Sequence, residues 1–133
     1  MDHLDFIDTR FGTASQYAFS QGNCLPLTGV PFGMNYLALE NQANRGAWWF
    51  HPEDHTFAGI RLTHQPSPWM GDFATVTLLP VSDLVSKGDV FHNQSSYRPK
   101  EARFQPHLLE VFSQRHRISV SYTHLRAHET RHD

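Results

Sequence analysis

The chain has 133 residues, 39% hydrophobic, 13% aromatic and 18% charged, with a formal net charge of −2. That length suits one globular domain with its own core, and the composition is that of a folded protein rather than a disordered one. The balanced charge, with no run of Lys or Arg, excludes nucleic acid and anionic membrane as main partners.

Taken in chain order, the opening Met-Asp-His-Leu-Asp-Phe-Ile-Asp is acidic and lacks the apolar core of a secretion signal. No stretch approaches the roughly 18 apolar residues of a membrane span, so a cytoplasmic location is expected. Cys24 is the single cysteine, which rules out an internal disulfide and fits a reducing compartment. Residues 4–7 are apolar but brief, and residues 12–22 read as a polar, aromatic loop. Pro and Gly punctuation in Asn23-Cys-Leu-Pro-Leu-Thr-Gly-Val-Pro-Phe-Gly-Met34 forbids a helix. A strand is expected over 32–39, closed by a polar turn at 40–46. Residues 47–51, with Trp48, Trp49 and Phe50, suit a short strand ended by Pro52. In 57–63, Phe57, Gly59, Arg61 and Thr63 alternate with Ala58, Ile60 and Leu62, the period of a strand with one buried face. Residues 73–81 repeat the pattern. A loop over 82–94 precedes two further strands at 108–112 and 117–119. Ten Phe, three Trp and four Tyr at low charge favour β structure over a helical bundle. The reading is all-β and antiparallel, in one domain.

Between the two alternating strands lies His64-Gln-Pro-Ser-Pro-Trp-Met-Gly-Asp72. Each proline fixes its own φ and extends the residue before it, so the loop is stiff. A rigid loop presenting Trp69 beside His64, Gln65 and Asp72 offers an apolar face next to hydrogen-bonding groups, the combination that a sugar requires. Trp69 is a stacking platform or a packing anchor. Asp72 orients a hydroxyl or caps a turn, and His64 and Gln65 line the site or brace the loop. Asn23 and Cys24, in a turn flanked by Gly, reach the same cleft or are structural.

Glu53 and Asp54 are consecutive, so an extended backbone turns them to opposite sides, a poor arrangement for an acid–base pair. No catalytic residue is assigned. The ten His include two tempting spacings. His51 and His55 are four apart, but Pro52 denies them a helix, and His51-Pro-Glu-Asp-His55 reads as a polar turn. His124, His128 and His132 also lie four apart, but residues 120–130 resemble the conceptual translation of a transposase-type sequencing adapter. We therefore expect a domain over 1–119, broken off inside a strand, followed by an artefactual, disordered tail over 120–133. No metal site is expected in this chain.

Phe11-Gly-Thr13, Val30-Pro-Phe-Gly-Met34, residues 57–72 and Leu79-Pro-Val-Ser82 together resemble the N-terminal domain of family 92 glycoside hydrolases. The resemblance covers most of residues 5–119 and departs from the commonest pattern at Asn35-Tyr36. The family's members are α-mannosidases, many acting on α-1,2 links. The resemblance implies an antiparallel β-sandwich, the N-terminal part of a galactose-mutarotase-like supersandwich, here incomplete. It implies a partner (α/α)6 helical domain, absent from this chain, with the active site between the two. It implies a mannose-containing glycan as substrate, calcium in the parent enzyme, and inversion by an acid and a base about 6.5–9.5 Å apart. Acid, base and calcium ligands all come from the helical domain, so this domain shapes the cleft and is expected to be inactive alone. The alternative is a stand-alone carbohydrate-binding β-sandwich module without hydrolytic activity; the break after Ser119 favours the former. A sandwich cut there exposes strand edges that invite aggregation.

Overall fold

The computed structural model describes residues 3–14, 16, 18, 24–31, 33, 35–41, 49–64, 70, 75–82 and 93–123. The described residues contain one turn of 3₁₀ helix, His3–Phe6, and otherwise only strands and connections. No helix among them is long and apolar enough to cross a membrane.

Two three-stranded antiparallel sheets form the body. The first has the order β1-β3-β4, from Tyr36–Glu40, Gly59–Thr63 and Thr75–Leu78. The second has the order β6-β7-β8, from Arg103–Phe104, Leu108–Ser113 and Ile118–Thr123. A two-stranded ribbon joins β2, Thr56–Phe57, to β5, Ser95–Ser96.

Register explains the core. Leu37 opposes Leu62, Leu39 opposes Ile60, and Leu78 opposes Ile60 from the other side, so all share one face of the first sheet. Leu37, Leu39 and Ile60 join Phe104, Leu109 and Val111 of the second sheet in a single cluster, with Val120 and Tyr122 packed against it. Facing apolar surfaces of two antiparallel sheets make this a β-sandwich. Leu39 and Leu109 are essentially fully buried; each such side chain contributes on the order of 1.5–3 kcal/mol. Phe50 tilts against Phe104 at 5.7 Å, and Phe57 meets Tyr97 edge-on at 5.6 Å, closing one end.

The opposite face of the first sheet is also buried, which simple alternation does not anticipate. Arg61 lies on that face and is 4% exposed. Its guanidinium meets Glu40 at 3.0 Å, and the Thr77 hydroxyl donates to the other Glu40 oxygen. A charge survives burial there because it is paired and hydrogen-bonded.

The expected strand over 57–63 is split. Phe57 belongs to the ribbon and Gly59 to the first sheet. Gly59 turns the chain between them with φ of +153°, a conformation that side chains rarely adopt. A Cβ there would sit 2.7 Å from the Leu78 carbonyl oxygen and 2.7 Å from the Thr77 methyl. The expected strand at 47–51 does not form over Trp49–His51, because the Asn41 side chain takes both backbone groups of His51. Residues 47 and 48 lie outside the described residues.

The boundary at Ser119 also gives way. β8 continues to Thr123, pairing Val111 with Val120, Leu109 with Tyr122 and Leu108 with Thr123. Residues 120–123 are therefore ordered strand rather than disordered tail. Val120-Ser-Tyr-Thr123 alternates β-branched or aromatic residues with small polar ones, the pattern a strand needs. Residues 124–133 lie outside the described residues.

Candidate functional site

His64 follows β3 directly and is exposed, and the Thr63 hydroxyl donates to its carbonyl at 3.0 Å. Gln65, Trp69, Asp72 and Asn23 lie outside the described residues. Cys24, next to Asn23, is exposed, and its carbonyl accepts a hydrogen bond from Phe50 N–H at 3.1 Å. The antiparallel bridge between Thr28 and Leu37 sets residues 24–28 alongside β1, with Cys24 near Asn41. His64 emerges at the other end, beyond the Tyr36–Thr63 pair. Six residues of extended chain separate the two ends, about 20 Å at the rise of a strand. His64 and Cys24 therefore face different regions of the surface.

The turn at His51-Pro-Glu-Asp-His55 is braced from within. Asn41 Nδ2 donates to the His51 carbonyl at 2.5 Å, and Asn41 Oδ1 accepts from His51 N–H at 3.1 Å. Asp54 N–H donates to the His51 carbonyl, and Glu53 N–H donates to His51 Nδ1, each at 3.3 Å. The polar-turn reading holds.

Beside this turn lies a feature that sequence reading passed over. Phe6, Ile7, Asp8, Arg10, Phe11 and Pro52 line an open groove of about 610 Å³. The N-terminal segment that forms it is fastened to the second sheet. Thr9 N–H donates to the Phe104 carbonyl at 2.9 Å, and Gln105 Nε2 donates to the Leu4 carbonyl at 3.3 Å. Arg10 is the hub of the attachment. Its Nε and Nη2 donate to both oxygens of Asp8, with Nη2 to Oδ2 at 2.6 Å. Its Nη1 donates to the Pro99 carbonyl at 2.9 Å, and its plane lies 4.6 Å above the Phe104 ring. Phe6 and Phe11 project into solvent, Phe11 at 94% exposure.

Chemically the groove combines two aromatic side chains with an ion pair. The Arg10 hydrogen bonds hold the Asp8 carboxyl below the usual carboxylate range, against a smaller opposing effect of burial. Asp8 is thus an acceptor at neutral pH and has no proton to give. The clue available in the sequence was the Asp8-Thr-Arg10 spacing, bracketed by Phe6 and Phe11. Nearby, burial pushes the Tyr97 hydroxyl up to about 12, so it stays protonated. The Asn41 amide lies close enough to moderate that shift but outside hydrogen-bond geometry.

Among the described residues, no three His, Cys, Asp or Glu side chains come together to hold a metal. His124, His128 and His132 lie outside the described residues.

Comparison with known proteins places this geometry. A search of the curated proteins finds no match. Among solved structures, the chain is similar to the family 92 inverting mannosidase of Bacteroides thetaiotaomicron, with a TM-score of 0.70 and 26% identity. That likeness covers 92% of this chain and 17% of the mannosidase chain. Residues 6–127 match the glycosyl hydrolase family 92 N-terminal domain, a span that takes in the N-terminal groove, both sheets and all of β8. With sequence and architecture in agreement over nearly its whole length, the chain belongs to the glycosyl hydrolase family 92 N-terminal domain family.

Proposed function

We propose that this chain is the β-sandwich part of a glycoside hydrolase that removes α-linked mannose with inversion, and that it shapes the glycan cleft without supplying acid or base. The observation carrying this reading is the family match over residues 6–127, supported by the fold it shares with an inverting mannosidase. The chain spans only 17% of that relative, so the reaction is assigned to the longer polypeptide.

Among the described residues, five carboxylates fit this division of labour. Inversion needs one carboxyl that keeps a proton near neutral pH and a second that activates water across a gap of about 6.5–9.5 Å. Asp8 is shifted the wrong way for the acid. Glu40 is engaged by Arg61 and Thr77, and Glu101 meets Arg98 at 3.0 Å. Glu53 and Asp54 sit side by side on the braced turn. On our reading the acid, the base, calcium and the (α/α)6 domain belong to the rest of the polypeptide, and an α-1,2-linked mannose is the group removed. We assign the glycan contact to the stiff loop after β3, with His64, Gln65, Trp69 and Asp72 aligning hydroxyls and a ring face. Asn23, also expected at the cleft, lies outside the described residues.

The test is the stereochemistry of the longer polypeptide acting on α-1,2-mannobiose, followed by proton NMR. Initial release of β-mannose is expected. Initial release of α-mannose, or inertness toward α-mannosides, overturns the reading.

A further inference from the structure

The groove of Phe6, Ile7, Asp8, Arg10, Phe11 and Pro52 encloses about 610 Å³, within the ~300–1,000 Å³ of small-molecule sites. All six residues are among those described. Phe6 is 75% exposed and Phe11 94%. Single exposed apolar residues are ordinary, but two phenylalanines beside Ile7 and Pro52 around one recess mark a binding surface. Its polar edge is fixed in place. Each guanidinium nitrogen of Arg10 already donates, Nη1 to the Pro99 carbonyl and the other two to Asp8. The Asp8 side chain remains half-exposed, with acceptor capacity turned to solvent. The groove lies beside the turn that Asn41 ties to the end of β1, whereas His64 emerges beyond the other end of that strand.

We propose that this groove binds a neutral pyranose unit of a glycan, its C–H face against Phe11 and its hydroxyls donating to Asp8. Three observations select that occupant. The open phenylalanine rings offer flat apolar surface, which the C–H face of a pyranose covers. The Asp8 carboxylate, oriented by Arg10, accepts hydrogen bonds and has none to donate, which suits a ligand rich in hydroxyls. The pair is neutral as a unit, and the Arg10 donors are committed inward, so neither a cation nor an anion is favoured. An apolar partner, a second copy of this patch included, buries Asp8 without bringing it a further donor, at a cost that hydroxyls avoid. Because Phe104 and Pro99 hold Arg10 in place, the polar edge is ordered before the sugar arrives, which lowers the cost of binding.

Mannose as the preferred sugar rests on the reading of this chain as part of a mannosidase, but a neutral pyranose in the groove does not. α-1,2-Mannobiose and, separately, cellobiose are titrated into the isotope-labelled 133-residue chain, and amide and Arg10 Nε–H shifts are followed by NMR. Wild type, Phe11→Ala and Trp69→Ala are compared; Phe11 is so exposed that its truncation leaves the core intact. Saturable shifts at Asp8, Arg10 and Phe11 are expected with at least one of the two sugars. Affinity should fall about three- to tenfold in Phe11→Ala, the loss of one stacked ring, and stay unchanged in Trp69→Ala. Three results overturn the proposal: neither sugar shifts the groove residues, Phe11→Ala binds as wild type does, or mannose 6-phosphate binds there more tightly than the neutral sugars. Groove shifts that grow with protein concentration alone, with a dimer in sedimentation, assign the groove to a second copy and also overturn it. Inertness of the longer polypeptide toward mannosides leaves each of these outcomes unaffected.

Discussion

Gly59→Ala tests the architecture at its tightest joint. At φ of +153° a non-glycine residue carries about 1–3 kcal/mol of backbone strain. The new methyl would also lie 2.7 Å from the Leu78 carbonyl oxygen, which cannot rotate away as a side-chain end would. Relief requires β4 to move from β3, at a cost similar to overpacking a core, about 1–3 kcal/mol. The expected total is about 2–6 kcal/mol, a large share of a typical domain stability of roughly 5–15 kcal/mol. Gly12→Ala is the control, because Gly12 has φ of +85° but nothing within 4 Å of the added Cβ; it should cost about 1–2 kcal/mol. Urea unfolding of the 133-residue chain, followed by Trp fluorescence, should show the Gly59→Ala midpoint about 1–3 M below wild type for a slope near 2 kcal/mol per M. Equal midpoints for the two variants would refute the claim that steric contact at the β3–β4 junction fixes this residue.

The buried ion pair makes a second prediction. Glu40→Ala and Arg61→Ala each strand a charge whose partner is also buried, the two side chains being 12% and 5% exposed. Each should cost about 3–5 kcal/mol in urea unfolding, and the double variant clearly less than the sum; strict additivity would contradict the pairing. Tyr97 governs the alkaline limit. Its folded value, about 12, lies above the unfolded value near 10. Its contribution is therefore fully present below pH 10 and is lost as pH rises toward 12, by roughly 3 kcal/mol at most. Tyr97→Phe should flatten stability between pH 10 and 12 while leaving it little changed at pH 7; an unchanged alkaline limb counts against this.

The strands that position the core were legible because alternation survives in them. Ile60 and Leu62 of β3, Val76 and Leu78 of β4, and Leu109 and Val111 of β7 fall on the faces that their spacing predicts. What escaped the sequence was set by long-range contact. β5 and β6 are two residues each, too short to show any period. Burial of the second face of β3 depends on Glu40, 21 positions earlier, meeting Arg61. The break at Ala58–Gly59 depends on where β4 passes, and no local pattern reports that. Ending the domain at Ser119 leaves four of the six residues of β8 outside it, although Val120 and Tyr122 carry the same alternation as the other strands. The loop singled out for sugar contact is described only at His64 and Met70, both exposed. The groove at Asp8 and Arg10 was missed because its residues become a unit only when Arg10 reaches Pro99 and Phe104.

Division of labour is the central claim, and its most direct test is activity of the 133-residue chain alone. Purified chain is incubated with α-1,2-mannobiose and calcium, with and without EDTA, and released mannose is quantified. The account predicts no turnover above the protein-free control in either condition. Measurable turnover abolished by EDTA would mean that these residues hold both metal and acid–base chemistry, and would contradict it.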